Sequence, residues 1–176
     1  MNERPPLLLT EAQIDGNDLV TAASEVLYAR FEGLEPIEAT EHTRQLPQHW
    51  RAVYTTLELE CQVENGGHHQ FFWNTDGELN RETLDDLRMI SAKPFDFLFE
   101  EALEVYATHD YAGENTSSGN SWEAFTEAYR EKRMETLDNA FYNAPTPVRA
   151  YLNDFILKNR SLYLRHTEPV AGPNSR

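Results

Sequence analysis

Two stretches of this sequence hold residue types that could do chemistry. The first runs Glu60-Cys61-Gln62-Val63-Glu64-Asn65-Gly66-Gly67-His68-His69-Gln70-Phe71-Phe72-Trp73-Asn74-Thr75-Asp76-Gly77. Glu64, His68 and His69 are types that ligate metal or move a proton, which would suit a small metal-dependent hydrolase. The plain structural alternative uses the same residues. Asn65 and Gly66 accept positive φ and end a helix, Gly67 lets the chain reverse, and Phe71, Phe72 and Trp73 fill a core. The structural reading is favoured. Adjacent histidines on a helix point about 100° apart and rarely share one metal. Cys61 sits amid Glu58, Glu60 and Glu64, whose charge raises a thiol pKa and blunts it as a nucleophile. Glu38 to His42 does not complete a zinc motif, and no phosphate loop, nucleophile elbow or dinucleotide fingerprint occurs. No enzymatic activity, metal or cofactor is expected.

The second candidate is the acidic pattern. Thirty Asp and Glu oppose fifteen Lys and Arg, a net charge of −15. Residues 1–120 hold 23 acidic and 7 basic side chains, whereas residues 121–176 hold 7 and 8. Such asymmetry points to one face with a strong field. Asp96, Glu100 and Glu104 recur at i, i+4 and i+8, with Glu101 beside them. Four helical residues rise about 6 Å, comparable to the roughly 6–7 Å between successive phosphates of a DNA strand. No Lys or Arg lies between Phe95 and Arg130 to relieve the stripe. Glu32, Glu35, Glu38 and Glu41 form a second row, and Asp85 with Asp86 a third cluster. An ordinary solvated face is the bland reading. The sharper one is a docking surface for a cationic protein, with Trp50, Trp73 and Tyr111 as aromatic anchors if exposed. This charge repels nucleic acid and anionic membranes, so direct contact with either is not expected.

The elements that must position these groups are helical. Leu19, Val20, Ala23, Val26, Leu27 and Phe31 form an apolar stripe at helical spacing, closed by Gly33. Trp50, Val53, Tyr54, Leu57 and Cys61 predict inward positions on a helix over 48–64. The alternation of Leu57, Leu59, Cys61 and Val63 before Asn65-Gly66 also fits a hairpin, but 67–73 does not alternate as a return strand should. Leu84, Leu87 and Ile90 mark another helix. After Pro94, residues Phe95, Leu98, Phe99, Ala102, Leu103 and Tyr106 give the clearest one. Trp122, Phe125, Tyr129, Leu137 and Phe141 predict a helix after a polar loop over 108–120. Pro147 opens the last, with Val148, Tyr151, Leu152, Phe155 and Ile156 inward. The expectation is an all-α, single compact domain of about six to eight helices over 17–167. A loose arm over 1–16 and a disordered tail over 168–176 would flank it. The lone Cys61 excludes an internal disulfide. Apolar runs too short for a signal peptide or membrane span make the cytoplasm the expected location.

Glu60, Val63, Asn65-Gly66-Gly67, Gln70-Phe71-Phe72, Asn74 and Gly77 carry a likeness to a known family. Ile90-Ser91-Ala92, Leu137-Asp138 and Phe141-Tyr142 are weaker echoes. Over about 48–165 the chain resembles the bacterial DNA mimic protein 19-like family. His68 departs from the aromatic residue of that pattern, and Ser91 from a glycine. The resemblance implies an all-helical fold, a homodimer, and an acidic surface that occupies a basic DNA-binding regulator. It supplies no catalytic residues. An immunity or antitoxin protein that blocks a cationic nuclease would use the same electrostatics.

Overall fold

The computed structural model describes residues 5–108 and 132–164, and these are all-helical, as expected. Nine helices follow one another among the described residues: α1 (Glu11–Ile14), α2 (Leu19–Tyr28), α3 (Pro36–Gln45), α4 (Gln48–Thr75), α5 (Asn80–Met89), α6 (Phe95–Thr108), α7 (Lys132–Tyr142), α8 (Val148–Lys158) and α9 (Arg160–Tyr163). Two of them, α1 and α9, are single turns. An isolated parallel bridge between Leu9 and Leu164 is the nearest approach to a strand among the described residues.

Helix α4 is the axis of the molecule. It packs against α2, α3, α5, α6, α7 and α8. Its Trp50, Ala52, Val53, Thr55, Thr56, Leu57, Leu59, Glu60 and Val63 are all buried, so nearly its whole circumference is covered. The alternation that also fitted a hairpin is therefore that of an enclosed helix. Cys61, expected inward, is exposed instead. The amphipathic neighbours bury one stripe each: Leu19, Val20, Ala23 and Leu27 from α2, Phe95, Phe99, Ala102 and Val105 from α6, and Val148, Leu152 and Ile156 from α8.

Residues 5–16 are not a loose arm. Leu9 and Ile14 are buried, and the Leu9 N–H donates to the Tyr163 carbonyl at 2.6 Å. Thr10 and Gln13 form a capping box on α1, while Arg160 pairs with Glu11 and Asp15. Two buried apolar side chains outweigh what the Pro5-Pro6 and Gly16 pattern suggests. The tail over 168–176, residues 165–167, the loop from 109 and the aromatic positions Tyr111, Trp122, Phe125 and Tyr129 lie outside the described residues.

Helix α5 ends in a Schellman turn. The Ala92 N–H reaches back to the Leu87 carbonyl at 3.0 Å, and Ser91 takes the left-handed conformation with φ 59°. That conformation is easiest for glycine, so a serine here is held against its own backbone preference.

Candidate functional site

The Asn-Gly-Gly segment breaks α4 without ending it. Gly66 (φ −163°, ψ 26°) and Gly67 (φ 75°, ψ 179°) leave helical space, and the helix resumes at His68. A break of this kind strands carbonyls before it and N–H groups after it. Helix α7 satisfies both. The Asp138 carboxylate accepts the His68 backbone N–H at 2.9 Å, and the Tyr142 hydroxyl donates to the Val63 carbonyl at 2.6 Å. Asp138 also meets His68 Nδ1 at 2.6 Å. A Cβ on Gly67 would lie 2.3 Å from Asp138 Oδ2, so only glycine lets the carboxylate approach this closely. The weak echo Leu137-Asp138, Phe141-Tyr142 is thus the mate of the Asn65-Gly66-Gly67 motif, seventy positions away.

The rest of the motif supports the same break. Gln62 Oε1 accepts from Gln70 Nε2 at 2.9 Å and Asn74 Nδ2 at 2.7 Å, which ties the two halves of α4 together. Phe71 and Phe72 are buried and pack on Phe99, with Phe72 stacked on Tyr106. Gly77 follows the left-handed Asp76 and has φ 70° itself. Glu60 is buried, and both Nε and Nη2 of Arg149 reach its Oε2, at 2.9 and 2.7 Å. Removing the half-exposed Arg149 would leave the buried Glu60 carboxylate unpaired, so this pair couples α4 to α8.

Glu64, His68 and His69 do not assemble into a metal centre. His68 is 0 % exposed, walled by Phe99 and Phe141, and His69 is buried, whereas Glu64 is exposed. Among the described residues no group of three His, Cys, Asp or Glu could hold a metal ion. Burial, then Glu58, Glu64 and Glu60, push the Cys61 thiol up.

The acidic residues separate into two populations. The α6 stripe does not stand as a free surface. Asp96 is 7 % exposed and its carboxylate accepts the Phe97 N–H at 3.0 Å. Glu100 pairs with Arg88 at 2.6 Å, and Arg133 reaches Glu101 at 2.9 Å and Glu104 at 3.6 Å. Those cations come from α5 and α7, so the absence of Lys and Arg within 96–129 gave no sign of them. Asp86 is also corrected. It is 0 % exposed and takes Arg51 in a two-pronged pair at 2.8 and 2.9 Å, with Thr55 donating at 3.0 Å. Burial raises the Asp86 carboxyl, with Arg51 and Thr55 opposing that rise. Asp85 is exposed, 3.9 Å from Arg81.

The second population lies on and beside α3. Glu32, Glu35, Glu38 and Glu41 are exposed, and among the described residues none meets a lysine or arginine. Glu38 folds back to accept the Glu35 N–H at 3.1 Å, an arrangement that starts α3 together with Pro36 at its first position. Ile37 stands 81 % exposed in the middle of this row. Between α3, α4 and the turn before α5 runs a groove of about 640 Å³, lined by Ile37, Glu41, Tyr54, Glu58, Asp76 and Leu79 among others. Among the described residues Arg44 is the only lysine or arginine lining it, and Glu78 and Glu82 hold that guanidinium at 2.7 and 3.0 Å. Burial and the Glu58 charge push the Tyr54 phenol up to about 12. Of the expected aromatic anchors, Trp50 is buried and Trp73 half-buried. Ile37 was not anticipated, because one isoleucine between glutamates carries no periodic signal.

Fold and site together define an acidic, all-helical protein built around a broken central helix. The model of the family described as DMP19-like protein matches residues 44–159, more than half of the chain, and the chain belongs to that family. No curated protein and no solved structure matches it. No helix among the described residues is long and apolar enough to cross a membrane.

Proposed function

We propose that this chain is an acidic, DNA-mimic-like protein that binds a basic, DNA-binding protein and blocks its nucleic-acid site. The family membership supports this reading. The observation that carries it is the row Glu32, Glu35, Glu38 and Glu41, exposed and without basic partners among the described residues. The binding surface in this reading is α3 and its approach rather than the α6 stripe, whose glutamates meet Arg88 and Arg133. Its carboxylates attract the Lys and Arg side chains that otherwise meet phosphates. Opposed potentials speed encounter and set orientation, and apolar contact supplies much of the residence time.

Capture of native cytoplasmic proteins on the immobilised chain tests the proposal. At about 0.05 M salt a DNA-binding protein is retained, and about 0.5 M salt, where screening lengths fall to a few Å, releases it. Retention of a cationic nuclease would point to an immunity role on the same surface. Retention that ignores salt would contradict an electrostatic interface of either kind.

A further inference from the structure

The row of glutamates on α3 contains one residue that an ordinary solvated face does not need. Ile37 is 81 % exposed and helps line recesses on both sides of α3, the larger groove shared with α4 and a smaller one lined by Glu38, Glu41, His42 and Gln45. A large aliphatic side chain ringed by charge is the layout of an anchor with a polar rim. The larger groove has a second apolar contributor in Leu79 and a ring in Tyr54. Two of its carboxylates, Glu41 and Glu58, meet no lysine or arginine among the described residues. The side-chain partners of Glu41 and Glu58 are neutral amides, Gln45 at 3.1 Å and Gln62 at 2.7 Å, and the Arg44 charge is committed to Glu78 and Glu82. A concave site with apolar lining and surplus negative charge is complementary to a side chain with a long methylene stem and a cationic head.

Resting on the function proposed above, we infer that this groove is where the basic partner docks: an arginine or lysine of an amphipathic segment enters between α3 and α4 toward Glu41 and Glu58, and an aliphatic neighbour on the same segment covers Ile37. The segment's stem lies along Tyr54 and Leu79. Charge recruits it and apolar contact slows its release, so the two contributions respond differently to salt.

The test uses the full chain, isotopically labelled, and two synthetic amphipathic helical peptides. One carries arginines among leucines, and in the other every arginine is glutamine. The expected result is amide shift changes at Ile37, Glu41, Glu58 and Leu79 with the arginine peptide alone. The double substitution Glu41→Gln, Glu58→Gln then weakens binding by about tenfold or more, chiefly at low salt. Ile37→Ser weakens it severalfold at low and high salt alike. If the arginine peptide binds with salt sensitivity but maps elsewhere, and both variants bind as the parent does, the groove is wrong while acidic recognition stands. If the glutamine peptide binds equally well, or neither binds, groove and acidic recognition fail together. If Ile37→Ser separates a dimer of the free protein and leaves peptide affinity unchanged, a second copy is the occupant and the inference is overturned.

Discussion

The Asp138 carboxylate holds the second half of α4 by its first residue, accepting both the backbone N–H of His68 and the ring Nδ1–H, at 2.9 and 2.6 Å. It caps a helix N-terminus that lies inside the domain, and it orients an imidazole with no exposed surface. Replacing Asp138 by alanine removes a cap, typically worth about 0.5–2 kcal/mol, and strands a buried donor at about 1–3 kcal/mol. The expected loss is about 2–4 kcal/mol, a fall in Tm of roughly 2–4 °C per kcal/mol for a chain of this size. Asparagine keeps an acceptor oxygen and should lose about half as much. Equal losses for the two variants in chemical denaturation would show that capping geometry is not what Asp138 provides.

Neighbouring glycines in the same break should respond very differently. Gly67→Ala places a Cβ 2.3 Å from Asp138 Oδ2 at φ 75°, in a region essentially reserved for glycine. A loss above about 3 kcal/mol, or failure to fold, is expected. Gly66 has φ −163°, and its added Cβ would meet the Gln70 side chain, including its movable amide. Gly66→Ala should therefore cost about 1 kcal/mol, the worth of one displaced hydrogen bond. Circular dichroism melts of the two variants distinguish these outcomes.

Ser91 is a position where the backbone incurs strain. With φ 59° at the end of α5, it occupies a conformation that costs an L-residue about 1–2 kcal/mol. Ser91→Gly should stabilise the protein by about 0.5–1 kcal/mol, since glycine's greater freedom when unfolded offsets part of the relief. An unchanged or lowered denaturation midpoint would mean that the Ser91 side chain contributes something the backbone geometry does not reveal.

His49 links stability to pH. It packs edge-on against Tyr163 at 5.0 Å, and burial pushes its pKa below the ordinary 6.5, with the Leu162 carbonyl opposing. A base whose pKa is depressed on folding is protonated first in the unfolded chain. Its contribution is therefore fully present above about pH 6.5 and is lost as pH falls from there toward the folded pKa. Unfolding free energy should drop between pH 7.5 and 5.5, and His49→Gln should make that drop smaller. A variant whose pH dependence matches the parent would place the sensitivity elsewhere.

Much of this was legible from residue spacing, and what was not has a common cause. The stripes of α2, α6 and α8 were readable because each helix buries one face. Asn65-Gly66-Gly67 was readable as an interruption, but its outcome depended on α7. The helix was expected to end there, and Asp138 and Tyr142 instead satisfy groups on both sides of the break. The α6 acids misled for the same reason. Their local sequence lacks cations, and Arg88 and Arg133 arrive from two other helices. Asp86 and Asp96 look like their exposed neighbours until tertiary packing covers them. Glu38 and Glu41 stay exposed because they lie on the outer side of a helix whose buried face is short, His42 and Thr43.

In the function proposed, the α3 carboxylates take the place of phosphates on a basic partner. Competition measures it directly: labelled duplex DNA is bound to the captured DNA-binding protein, and this chain is titrated in until the DNA is released. The variant Glu35→Gln, Glu38→Gln, Glu41→Gln keeps a side-chain oxygen to receive the Glu35 N–H while removing three charges. It should need at least about tenfold more protein to release the DNA, whereas Glu100→Gln, Glu101→Gln, Glu104→Gln should compete like the parent. Undiminished competition by the α3 variant would mean that these carboxylates do not stand in for phosphates.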